Sequence, residues 1–73
     1  MTSSPFRLLD TIALLDGVPA HGLVRGQVGT LVEPLADGVW LVEFADDKGR
    51  TTAMPDLRED QMLLLHFAPA DAA

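Results

Sequence analysis

Two histidines are the residues of this chain best suited to chemistry near neutral pH. His21 follows Pro19 in a stretch that reads as a loop, and His66 sits in the last apolar run. An imidazole can act as an acid–base group or a metal ligand, but a site needs convergent partners. No second histidine lies near either one in sequence, so their spacing predicts structural or surface roles. Asp46 and Asp47, close to Glu43, could offer oxygen ligands to a divalent cation. They lack the alternating acidic positions of a calcium loop and read as a solvated hairpin tip. Asp56 with Glu59 and Asp60 could form a carboxylate pair for acid–base work. Their order also follows a capping box, with Asp56 as N-cap and Glu59 three residues on, serving the positive end of a helical turn. Ser3 and Ser4 lie in a terminal segment where no rigid scaffold positions a nucleophile. The absence of cysteine removes thiolate ligands, disulfides and thiol nucleophiles together. No catalytic residue, cofactor site or metal site is expected, and the chain does not read as an enzyme.

The elements that would carry these residues are short. Apolar runs recur every eight to twelve residues or so between turn signals, the pattern of a small sandwich or barrel. The first run covers 11–15 and closes at Asp16, Gly17 and Pro19. The second, 27–35, follows Gly26; Asp37 and Gly38 then turn the chain into 39–45. The segment 46–49 makes the next hairpin loop, 50–54 the fourth run, and Pro55 ends it. The polar stretch 56–61 reads as one helical or 3-10 turn before the last run, 62–67. Trp40, Val42 and Phe44 alternate with Leu41 and Glu43, which places the first three on one face of a strand, toward the core. The indole N–H of a buried Trp40 then needs an acceptor. Gly26 suits a tight turn into the second run, and Gly29 suits a bulge or a close backbone approach. The fold expected is all-β: a five-stranded SH3-like barrel with a short helical or 3-10 turn before the last strand. Such a barrel is filled by its own side chains and leaves no enclosed substrate pocket.

Seventy-three residues make one domain. Flexible ends are expected at 1–7 and 68–73, with the barrel at 8–67. A chain of about this size buries only about 60% of its unfolded surface. Its hydrophobic share is 48%, high for such a short domain. Either the single core is efficient, or a partner or a second copy covers part of the apolar surface. The net charge is −6, from eleven acidic and five basic residues. Arg7, Arg25, Lys48, Arg50 and Arg58 are scattered among the acids, which disfavours nucleic acid and anionic membranes as partners. The segment 1–5 lacks the basic start of a secretory leader, and 12–15 is too short for its apolar part. A cytoplasmic protein is expected.

The segments Pro-x-His-Gly-Leu, at 19–23, and Arg-Gly-x-x-Gly-Thr, at 25–30, occur together and in order. With 10–15 before them and Glu43, Phe44 and 60–63 after them, they resemble a family of short bacterial proteins, the domain of unknown function numbered 4926. The resemblance covers about residues 8–66 and implies no activity. The same segment is similar, more loosely, to the barrel of nitrile hydratase β subunits and their activator proteins. In that group a His-Thr-Arg triplet precedes the Arg-Gly-x-x-Gly segment; here His21 is followed by Gly22 and Leu23, so the triplet is broken. Gly26, Gly29 and Leu31 also resemble the glycine-centred KOW motif of ribosomal and transcription-factor barrels. That likeness implies RNA binding, against which the acidic charge stands.

Three functions stay open at this level. The first is a non-catalytic protein-binding module, of an accessory, regulatory or antitoxin and immunity type. The second is a KOW-like nucleic-acid binder, and the third a structural subunit of a small homo-oligomer. For the first, the long loop 16–25 is the surface expected to meet the partner, with His21 and Arg25 as its polar contacts.

Overall fold

The alternation of Trp40, Val42 and Phe44 is borne out as the inner face of the strand around which the rest is arranged. In the computed structural model, which describes residues 4–67, the chain forms β1 (Thr11–Leu14), β2 (Val28–Ala36), β3 (Val39–Ala45), β4 (Thr51–Ala53), β5 (Asp56–Arg58) and β6 (Met62–Leu64). Short 3-10 turns lie at Pro19–His21 and Glu59–Gln61. The segments 1–3 and 68–73, with Ser3, lie outside the described residues.

All six strands are antiparallel and belong to one sheet, ordered β4-β3-β2-β1-β6, with β5 also on β3. The first half of β3 pairs with β5, Trp40 opposite Leu57, and its second half with β4, Phe44 opposite Ala53. β4 and β5 therefore follow one another along the same side of β3. Between them Pro55 has no N–H to give, yet its carbonyl accepts the Val42 N–H at 3.0 Å, so β3 stays bonded across the break.

The fourth run thus continues past Pro55, and the expected count of five strands becomes six. Asp56 is not a helix cap. It stands opposite Leu41 in β5, because Leu57 beside it turns into the core. The 3-10 turn starts two residues later than the capping pattern implied. There the Gln61 side-chain oxygen accepts the Arg58 N–H at 2.8 Å. Among the described residues no ladder joins β6 to β4 or β5, so the sheet is open in its strand pairing.

The core gathers Ile12 and Leu14 of β1, Leu31 of β2, the three β3 residues, Leu57 and Met62, with Leu23 from the loop after β1. Bulges near Val32 and Leu35 bend β2 where it runs along β3. Gly29 sits opposite Ile12 in regular pairing, not at a bulge. Its bare backbone receives the Phe44 ring: a Cβ there would lie 2.8 Å from Phe44 Cε2 and 3.0 Å from the Glu43 carbonyl. Gly26 and Gly38 take positive φ, 84° and 72°, at the turns that begin β2 and join it to β3.

Trp40 finds its acceptor in Glu59: the indole N–H donates to Oε2 at 2.8 Å. The same oxygen accepts the Ser4 hydroxyl at 2.7 Å, and Phe6 packs against the core. One carboxylate therefore ties the 3-10 turn, the central strand and the N-terminal segment together.

Two stability predictions follow from these contacts. Gly29→Ala should lower stability by about 1–3 kcal/mol, the usual cost of overpacking, since the ring or the strand must shift. Urea denaturation reads this, and an unchanged midpoint would show that the Phe44 ring yields freely. Glu59→Ala should cost about 1.5 kcal/mol by orphaning the indole N–H, while Glu59→Gln, which keeps an acceptor, should recover much of it. Equal losses in the two variants would contradict the bond.

Candidate functional site

The loop between β1 and β2 is built by its own backbone. At its base Leu14 donates to the Gln27 carbonyl at 2.9 Å, and Gly26 to the Leu14 carbonyl at 2.7 Å. Inside it Val18 and Leu23 form an isolated bridge, with bonds of 2.9 and 3.2 Å. Pro19 presets the φ of the 3-10 turn. Gly22 ends that turn at φ 69°, its N–H on the Pro19 carbonyl. Leu23 then plunges into the core at 4% exposure and pins the loop from within. The Gln27 side-chain oxygen accepts the Val24 N–H at 3.1 Å, and the Val24 carbonyl accepts the Gln27 N–H at the same distance.

This frame turns His21, Val24 and Arg25 outward. All three are exposed, Val24 by 64%. Among the described residues neither the His21 imidazole nor the Arg25 guanidinium has a hydrogen-bond or ion-pair partner. The pair offers ring N–H and guanidinium donors beside a small apolar contact, a group able to meet carboxylates or carbonyls of a protein surface.

The acidic hairpin is engaged in holding itself. Asp46 Oδ1 accepts the N–H groups of Lys48 and Arg50, each at 2.9 Å, and Oδ2 accepts Arg50 Nε at 2.9 Å. The Arg50 N–H holds the Asp46 carboxyl below its ordinary pKa; desolvation opposes it, and the Lys48 N–H and the Arg50 side chain add lesser help. Glu43 accepts the Thr51 hydroxyl. Asp47 is exposed at the turn. Among the described residues no three His, Asp or Glu side chains are grouped to hold a metal ion.

The other carboxylates are likewise parted. Asp56 is exposed in β5, Glu59 serves Trp40 and Ser4, and Asp60 pairs with Arg58 at 3.1 Å. His66 is exposed just past β6. The role of Glu59 was hidden in the sequence, where the one signal was that a buried indole requires some acceptor.

Since the Asp46 pKa is lowered in the folded chain, its contribution to stability is present above the ordinary carboxylate range and lost as pH falls through the lowered value. Asp46→Ala should remove this acid sensitivity and speed amide exchange at Lys48 and Arg50. Unchanged exchange at both amides would contradict the hairpin role.

No helix among the described residues is long and apolar enough to cross a membrane. No match was found among curated proteins or among solved structures. The model of one family, Domain of unknown function (DUF4926), matches residues 8–64. That span takes in the outward loop, the acidic hairpin and all six strands. The chain belongs to the family Domain of unknown function (DUF4926).

Proposed function

We propose that this chain is a non-catalytic protein-binding module that meets its partner through the loop 16–25. The observation that carries this reading is the pinned loop itself: His21 and Arg25 stand outward, without partners among the described residues, on a segment anchored at both ends and by Leu23. A loop backbone held in this way is already ordered, so binding costs the ordering of the two side chains but not of the loop. The scaffold is read as a five-stranded SH3-like barrel. Two features support that: β4 and β5 act as one interrupted strand along β3, and a 3-10 turn precedes the last strand. The family match adds no activity to the reading.

The partner proposed is a protein with acidic or carbonyl-rich contacts for the loop, in an accessory, regulatory or antitoxin and immunity role, encoded beside this chain. Nucleic acid is the weaker alternative, because the chain carries a net charge of −6.

Co-expression with the neighbouring gene product, followed by size exclusion, tests the proposal. A complex should form that survives moderate salt, and His21→Ala with Arg25→Ala should weaken it at least about tenfold without unfolding the chain. Separate elution of the two proteins, or a complex indifferent to both substitutions, would overturn it. A mobility shift of nucleic acid at low salt, fading steeply as salt rises, would favour the alternative.

A further inference from the structure

The last strand leaves an edge. β6 pairs with β1 and, among the described residues, with no strand on its other side. Leu63 stands opposite Ala13; the Leu65 N–H donates to the Thr11 carbonyl and the Leu15 N–H to the Gln61 carbonyl, each at 3.0 Å. Main-chain groups of residues 61, 63 and 65 therefore face β1, and those of 62, 64 and 66 face away from it. Of these, the Met62 N–H is taken by the Glu59 carbonyl.

The side chains along this edge carry no Asp, Glu, Lys or Arg from Gln61 to Phe67. Leu63 is 52% exposed and Phe67 87%. Across the same face Leu63 adjoins Ala13, and Ala13 adjoins Val28, itself 51% exposed. An uncharged apolar row thus runs inward from an unpaired edge, on a chain with eleven acidic residues. Such an edge is a template for another strand.

We propose that β6 pairs antiparallel with β6 of a second copy about a two-fold axis, Leu64 opposite the partner subunit's Leu64. In this register every outward main-chain position meets another. The two Leu64 residues exchange both N–H···O bonds, and the His66 N–H meets the partner subunit's Met62 carbonyl. Leu63 comes to lie opposite the partner subunit's Leu65, so the exposed row continues from one copy into the next. Centring on Leu63 instead pairs 62 with 64 and leaves 66 without a counterpart. The charge pattern selects the occupant. A basic strand would find no carboxylate along this strip, whereas a second copy brings an equally uncharged strand and keeps its acids outside the seam. The proposal does not rest on the loop 16–25.

Light scattering after size exclusion, run over a concentration series to about 0.1 mM, tests it together with amide exchange. A dimer is expected that tightens with added salt, because salt screens the repulsion between two acidic copies. The Leu64 and His66 amides should become protected as concentration rises. Leu63→Lys puts a charge on the seam at an exposed position and should raise Kd about tenfold or more, with the circular dichroism of the fold retained. Leu35→Lys, equally apolar and exposed but on β2 near its turn into β3, should leave the dimer intact. A monomer throughout the series, a dimer that dissociates as salt rises, or a dimer with an unprotected Leu64 amide would overturn the proposal.

Discussion

The seating of Phe44 on the bare backbone of Gly29 is the contact on which the rest of this small fold depends. Phe44 is fully buried on the inner face of β3, and a side chain at position 29 would occupy the space of its ring. Gly29 is paired with Ile12, so this one contact brings β1, β2 and β3 into close packing. A chain of 73 residues has little redundancy in its core. Every other strand is placed relative to these three: β4 and β5 along the free side of β3, and β6 along the free side of β1.

Function on such a scaffold has to sit on its outside. Among the described residues the core is made of nine buried hydrophobic side chains, and no polar or charged residue is buried. Several of the charged groups are spent on local structure: Asp46 on its hairpin, Glu59 on Trp40 and Ser4, Asp60 on Arg58. What stays available is a loop that holds His21 and Arg25 away from the core and an uncharged strip beside β6. The proposed module reading uses the first and the proposed self-pairing uses the second.

Much of the fold was legible because strong local signals agreed. β3 runs from Val39 to Ala45 as its alternation implies, between two turns whose glycines, Gly38 and Gly49, take positive φ. β5 was not legible. Pro55 reads as a stop, and Asp56, Arg58, Glu59 and Asp60 read as solvent-facing; only Leu57 betrays a strand, and one apolar residue defines no period. Leu23 was likewise hidden, since a lone leucine in a loop gives no sign of reaching the core. For the site, the placement of His21 and Arg25 on a loop came from Pro19, Gly22 and Gly26, which punctuate the chain. That their side chains have no partner among the described residues could not be read, because it depends on how the loop folds back through the bridge of Val18 with Leu23.

The most direct measurement of this central packing is the proton NMR spectrum of Gly29. With the Phe44 ring where a Cβ on Gly29 would lie, at least one Gly29 Hα should be displaced by the ring current and show nuclear Overhauser contacts to the Phe44 ring protons. Both Hα resonances at ordinary strand positions, with no contact to that ring, would contradict the account.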